Sequence, residues 1–351
     1  MEIRKLKLWL DEKKKPAFRL KQIINEVYKN YVLDFNQMTN LPKDLREILG
    51  RDITILPFVP EKILVTKDKK CTKALLKLAD GLKIETVLIE AKSGFWTACV
   101  SSQVGCPLAC IFCATGKMQF KRNLTSEEIT NQVLFWQALV KNGEQFGLKN
   151  KLSGKVTNIV YMGIGEPLLN WENVKQSLFN LTDPGLFGFG DRCISVSTVG
   201  IPEGIKKFGQ NFPQMNLAIS LHSANNEKRT KLMPINRQFN LSDLKKSIEN
   251  YLTKFRRQIF IEYIMIKEIN DGEEDANQLV KYMKSIANNY LLVCNLITYN
   301  DYEKKFEASS PEKIKRFNNV LLRNNIKVTI RKSMGKEIIG ACGQLGGKLS
   351  T

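Results

Sequence analysis

Apolar positions recur at helical spacing near the start of the chain and then change period. In residues 17–32, AFRLKQIINEVYKNYV, Phe18, Ile23, Ile24, Val27 and Tyr28 fall on one side of a helix, with basic residues between them. LPKDLREIL (41–49) opens another helix, with Pro42 near its first turn. Residues 1–60 are therefore expected to form a small helical domain. Between 61 and 98 the pattern shortens. KALLKLADGLKIETVLIE holds two apolar runs about a turn at Asp80-Gly81, a β-hairpin signal, and WTACVSS reads as a strand.

From residue 99 to 351, strands and helices alternate. TSEEITNQVLFWQALV starts with Thr125 or Ser126 as a helix cap and places acids in the first turn. KVTNIVYMGIGEP is a strand running into a Gly-rich turn, and CISVSTVGI and MNLAISLHS are short strands ending in small polar residues. Three further pairs follow: NLSDLKKSIENYLTKF with QIFIEYIMI, DANQLVKYMKSIANNY with LLVCNLITY, and SPEKIKRFNNVLLRNN with KVTIRKS. Such alternation builds βα units around a parallel sheet. Six or so strands suit a partial (β/α)6 barrel of the α/β class better than a closed eight-stranded one. Residues 141–155 are polar and Gly-containing, and are expected to form a surface loop.

Composition adds a partner class. The 351 residues carry 54 basic and 35 acidic side chains, a net charge of +19. An excess of this size favours an anionic partner, nucleic acid first, although AT-rich coding would also enrich Lys, Ile and Asn. No apolar run is long enough to span a bilayer, and the charged first fifteen residues lack the apolar stretch of a secretory signal. The expected location is the cytoplasm.

Candidate chemistry concentrates in GCPLACIFC, where Cys106, Cys110 and Cys113 follow a Cys-x3-Cys-x2-Cys spacing. Three thiolates on one short loop can hold three corners of a cubane cluster and leave the fourth iron open. A structural zinc normally closes four ligands. No second cysteine pair is present, and His222, the chain's one histidine, is remote in sequence. The isolated cysteines Cys71, Cys193 and Cys294 read as small buried hydrophobes.

This spacing resembles the radical S-adenosylmethionine (SAM) superfamily, and Phe112 and the MGIGEP segment extend the likeness. Over nearly the whole chain, FRLKQI, LPKDLRE, IETVLI, CVSSQVGC, CIFCATG, RNLTSEEI, MGIGEPLLN, STVGI, SLHSANNEKRTKLMPIN and ACGQL resemble one family. It is the adenine-C2 RNA methyltransferases acting on 23S rRNA and tRNA. The resemblance implies a [4Fe-4S] cluster on Cys106, Cys110 and Cys113. It implies SAM contacts at Gly165, Glu166, Ser197, Ser220, Leu221, His222 and Asn300, with the Glu166 carboxylate facing the SAM ammonium.

It also implies that Cys342 is methylated by one SAM. A radical from a second SAM then activates that methyl group for addition to adenine. Cys99 resolves the resulting enzyme–RNA crosslink through a transient disulfide with Cys342. Glu85 matches the proton acceptor. Glu90 is the second choice, because the stretch from Glu85 to Cys99 is one residue longer than in many relatives. Gly340, Gly343, Gly346 and Gly347 would make the Cys342 loop pliable. The expected partners are 23S rRNA, tRNA and an electron donor such as flavodoxin, for a monomeric enzyme. Lys21, Arg46, Lys121 and Arg122 are candidate RNA contacts. The sister activity, methylation at C8 of the same rRNA adenosine, shares these motifs. A radical SAM activator of another protein would need neither Cys99 nor Cys342. The chain departs from the family at Asp301, usually Pro, at Ile164, usually Met, and in a longer stretch at 142–154.

Overall fold

The computed structural model describes residues 1–148, 152–302 and 305–346. Three helices come first: α1 (Ile3–Glu12), α2 (Phe18–Tyr28) and α3 (Lys43–Asp52). Their inner faces close on Leu6, Leu10, Ile23, Val27, Leu45 and Leu49, and this small core reaches Leu134 and Leu186 of the next domain. Tyr28 meets Phe187 edge to face at 5.1 Å, and Lys29 Nζ donates to the Pro184 carbonyl at 2.7 Å. The helical unit is thus docked on the outside of the larger domain.

Four strands follow in antiparallel order: β1 (Phe58–Val65), β2 (Cys71–Leu78), β3 (Lys83–Lys92) and β4 (Phe95–Cys99). The expected hairpin is β2–β3. Strand β1 is not foreseen by the pattern, because Pro60 and Glu61 interrupt FVPEKILV. It is an edge strand with an irregularity between Pro60 and Lys62, where a missing N–H costs no ladder bond. A register shift also falls between Glu90 and Lys92. It absorbs an extra residue in the stretch that looked one residue too long.

A two-stranded ribbon, β5 (Gln103–Val104) and β6 (Arg122–Asn123), brackets the cysteine loop. Helix α4 (Ser126–Lys141) starts in a capping box: Thr125 accepts from Glu128 N and Glu128 returns the bond. The chain continues with β7 (Lys155–Tyr161), α5 (Trp171–Thr182), β8 (Ile194–Thr198), α6 (Pro202–Asn211), β9 (Asn216–Ser220), α7 (Asn226–Leu232) and α8 (Leu241–Phe255). It closes with β10 (Ile259–Met265), α9 (Glu273–Ser285), β11 (Leu292–Thr298), α10 (Pro311–Arg323) and β12 (Lys327–Arg331).

The sheet runs β1-β2-β3-β4-β7-β8-β9-β10-β11-β12. From β4 onward neighbouring strands are parallel. Six strand–helix units, β4-α4 through β11-α10, are followed by β12, which is the expected partial barrel of a mixed α/β fold. Its main core lies between sheet and helices and includes Ile129, Phe135, Trp136, Val174, Phe208, Ile248 and Leu279. The antiparallel strands β1–β3 are continuous with the barrel sheet. This continuity carries Glu85 towards the barrel mouth.

Candidate active site

Parallel strands of a partial barrel bring their C-terminal ends to one mouth, where loops can converge on a ligand. A cavity of about 170 Å³ opens there. Its lining includes Cys106, Cys110 and Cys113 from the loop, Met162, Gly165 and Glu166 after β7, and Ser197 on β8. Ser220 and His222 at β9, Glu262 on β10, Arg331 on β12 and Cys342 complete the side facing the cysteines.

The cysteine loop is built tightly. Gly116 packs against the Cys110 backbone so closely that a Cβ would collide with the Cys110 carbonyl. Ile111 N donates to Leu232 O at 3.1 Å, tying the loop to α7. Burial pushes the Cys106 thiol up to about 12, and raises Cys110 and Cys113 as well. Cys113 and Cys106 oppose ionisation of Cys110, while N–H groups of Leu108, Thr115 and Gly116 favour the thiolates of Cys106 and Cys113. One buried and two partly buried thiols whose ionisation burial opposes need a strongly cationic centre to ionise together, as iron would provide. Among the described residues no three His, Cys, Asp or Glu groups are close enough to hold a single metal ion. Three thiols on one short loop that opens on the cavity fit a cluster with one iron left open.

Of the residues expected to contact SAM, Gly165, Glu166, Ser197, Ser220 and His222 line the cavity, whereas Leu221 and Asn300 are not part of its lining. Gly165 has φ +104, and a Cβ there would lie 2.5 Å from the Gln103 Cβ, so glycine is required on both counts. Both Glu166 carboxylate oxygens are engaged. Oε1 accepts from Leu168 N at 3.1 Å and Oε2 from Val199 N at 2.9 Å, so the side chain laces the end of β7 to the end of β8. Burial raises its carboxyl to about 7 despite these bonds and one from Thr198. A cation entering the cavity would reverse that shift. Leu221 is fully buried. Asn300 Nδ2 donates to the Cys342 carbonyl at 3.1 Å, so in this structure it braces the Cys342 loop. Next to it, Asp301 O accepts from Gln344 Nε2 at 2.8 Å, which gives the turn at this departure from the family a second brace.

His222 sits at φ +60 with Nδ1 accepting from Ile264 N at 3.2 Å, which leaves Nε2 as the protonated donor. Phe112 meets its ring edge to face at 4.9 Å. Burial, assisted by Arg229, lowers its pKa from 6.5 to about 3. Below its ordinary pKa the unfolded chain protonates this histidine, while the fold does so only near the lowered value. Acid therefore favours unfolding through that interval. His222→Gln is expected to flatten the fall in thermal stability of the apoprotein between about pH 6.5 and 4. Profiles that stay parallel in the two proteins would contradict the buried neutral imidazole.

Cys342 also lines a second cavity of about 200 Å³, together with Cys99, Met162, Arg331 and Ala341. All eight cysteines are free thiols. Burial is the main cause of a Cys99 thiol near 12, with Cys342 adding and Arg331 opposing. The Arg331 guanidinium pairs with Glu262 at 3.8 Å and donates to Met162 Sδ at 3.3 Å. Nothing in the spacing of KVTIRKS marks Arg331, and its place beside both thiols is visible only in the fold. The Cys342 loop is clasped to the cluster loop: Ala114 N donates to Gly343 O at 2.8 Å and Thr115 Oγ1 to Leu345 O at 2.7 Å. Gly347 lies outside the described residues.

Glu85 lines neither cavity. It is fully buried beneath the Cys342 loop, paired with Lys73 and accepting from Gly346 N. Glu90 accepts from Gly94 N within its own hairpin. Of the other isolated cysteines, Cys71 and Cys294 are buried as expected and Cys193 is partly exposed. Among the candidate RNA contacts, Arg122 is bound to Glu128 and Asp80, and Lys121 Nζ donates to Gln119. Lys21 is exposed and Arg46 half-buried.

The barrel, its three-cysteine loop and the strand-end cavity define a radical SAM protein. The description "Radical SAM superfamily" matches residues 100–280, and "Ribosomal RNA large subunit methyltransferase N-terminal domain" matches residues 1–55. A probable dual-specificity RNA methyltransferase RlmN from Pseudothermotoga lettingae is 42% identical over 329 residues, covering 93% of this chain and 91% of its own. The ribosomal RNA large subunit methyltransferase Cfr of Bacillus velezensis is 39% identical, covering 97% of this chain and 94% of its own. The crystal structure of a radical SAM methyltransferase from Sphaerobacter thermophilus superposes with a TM-score of 0.88 at 34% identity, covering 98% of this chain and 97% of that one. The chain belongs to the radical SAM RNA methyltransferases of the RlmN and Cfr type. Membership implies a [4Fe-4S] cluster and SAM. No helix among the described residues is long and apolar enough to cross a membrane.

Proposed function

We propose that the chain methylates C2 of an adenosine in 23S rRNA, and of an adenosine in tRNA, consuming two SAM per methyl group. The carrying observation is that Cys342 lines both the cofactor cavity and the cavity that holds Cys99. One thiol can thus meet SAM on one side and its resolving partner on the other. Cys106, Cys110 and Cys113 would hold a single [4Fe-4S] cluster, which would supply the electron needed to cleave the second SAM. A flavodoxin-type protein is the expected source of that electron, and the enzyme is taken as a monomer acting in the cytoplasm.

Cys342 Sγ accepts a methyl group from the first SAM by displacement at the sulfonium. The 5′-deoxyadenosyl radical that the second SAM would yield takes a hydrogen atom from that methyl group and leaves a methylene radical, which adds to an adenine carbon that is no nucleophile, and the adduct gives up one electron. Glu85 then takes the proton that leaves the ring carbon, which requires the Cys342 loop to lift from it. Cys99 Sγ, as thiolate, attacks Cys342 Sγ: the S–S bond forms as the Cys342 Sγ–CH2 bond breaks, the released methylene takes up a proton to become the methyl group, and a thiol reductant reopens the disulfide before the next turnover. Glu166 shapes the SAM seat, and the neutral His222 offers its Nε2–H to it.

Reconstitution under anaerobic conditions, turnover on an rRNA fragment and mass spectrometry of the digested nucleosides test this reading. 2-Methyladenosine is expected, and 8-methyladenosine would transfer the chain to the Cfr-type activity. Cys99→Ser should accumulate an enzyme–RNA adduct close to one per active site. Free turnover of that variant would remove Cys99 from the resolving role. RNA affinity should also fall steeply with salt, by roughly one decade for each few phosphates contacted as salt rises from about 50 to 200 mM.

A further inference from the structure

A single buried ion pair grips the Cys342 segment on both sides. Lys73 Nζ lies 3.0 Å from Glu85 Oε1 and also donates to the Ile339 carbonyl at 2.9 Å. Glu85 Oε2 accepts from Gly346 N at 2.7 Å. Cys342 stands between these two anchor points in the chain. The Lys73 and Glu85 side chains are 3% and 1% exposed. Burial of two charges is costly unless the geometry satisfies them well. Here each ion makes a second bond to the same glycine-containing segment rather than to its own sheet. A pair serving only the β2–β3 ladder would have no reason to reach across to it.

We propose that Lys73 is a positioning residue for Cys342: the Lys73–Glu85 pair seats residues 339–346 so that the thiol is presented to the cofactor cavity. The same contacts cover Glu85 while the segment is seated. The arrangement therefore separates two stages. With the segment down, Cys342 is placed to receive a methyl group and Glu85 is sequestered. With the segment lifted, Glu85 is exposed at the time a proton must leave the substrate ring. This inference rests on the roles proposed above for Cys342 and Glu85.

Wild type, Lys73→Met and Lys73→Arg are compared as reconstituted holoenzymes without RNA. Two quantities are read: the rate at which labelled methyl from SAM reaches Cys342, and the rate at which a small maleimide alkylates Cys342 in the absence of SAM. Thermal unfolding checks the fold. Lys73→Met is expected to slow the single methyl transfer to Cys342 roughly tenfold at saturating SAM, with the SAM concentration for half-maximal rate unchanged, and to speed alkylation by a similar factor. Lys73→Arg should restore most of both. A folded Lys73→Met that matches wild type in both rates overturns the proposal. Should Lys73→Met leave Glu85 stranded and unfold the protein, Lys73→Met/Glu85→Gln removes both charges and is expected to show the same loosening. Both readouts precede RNA, so the proton-acceptor role of Glu85 does not enter them. If wild-type Cys342 takes no methyl group, the two-SAM reading fails, while the alkylation rates still decide whether Lys73 holds the segment.

Discussion

Cys342→Ala is expected to abolish RNA methylation, by on the order of 10³-fold or more, because no other side chain can carry the methyl group. Cys342 is the thiol that lines both the cofactor cavity and the Cys99 cavity. Cys71 stands nearby but is buried away from both linings, with its thiol pushed up to about 12 chiefly by burial. It cannot substitute without displacing the loop that covers it. The loop itself should remain seated in Cys342→Ala, since its clasps are made by main-chain atoms. Gly343 O, Leu345 O, Gly346 N and the residue 342 carbonyl are all bonded whatever the side chain at 342. The variant should therefore fold, bind iron and bind RNA as wild type does. Loss of RNA binding in Cys342→Ala would show that its defect is structural.

The second large effect falls on the cluster loop. Cys110→Ser should lose most of its iron and reduce SAM cleavage by on the order of 10²-fold or more, since a hydroxyl replaces one of the three proposed thiolate ligands. The loop packs Gly116 on the Cys110 backbone and rests on Leu232 through Ile111, contacts that a serine at 110 leaves in place. Iron and sulfide analysis with 5′-deoxyadenosine release checks this. A Cys110→Ser protein that retains full iron and cleaves SAM at the wild-type rate would contradict the ligand assignment. In contrast with Cys342→Ala, this variant should also fail to produce the radical, so assaying both variants separates the carrier from the radical source.

How much of this was readable in the chain varies with the range of the interaction. The cysteine loop is local: spacing over eight residues states its chemistry before any folding. The βα alternation is likewise periodic, and the six units with their final strand follow it closely. Strand β1 escaped because an edge strand tolerates Pro60 and half-exposed polar positions, which erase the alternation used to find strands. Lys73 in CTKALLKL looks no different from Lys77, yet the former is buried and the latter exposed. The difference comes from what lies above the sheet, a segment 266 residues further on. Arg331 is of the same kind, at the end of a strand that could as well have faced solvent. Asn300 and Glu85 were singled out through resemblance, and the fold shows both bound to the Cys342 loop. Their contacts with that loop are products of tertiary structure, which no local pattern encodes.

The most direct test of the central claim is a pulse and chase of the methyl group. The reconstituted enzyme is charged with methyl-labelled SAM without RNA, freed of excess SAM, and given RNA with unlabelled SAM for one turnover. The account predicts label on Cys342 after the pulse and its transfer to adenosine in the chase. Label that remains on the protein, or an adenosine that acquires only unlabelled methyl, would contradict it.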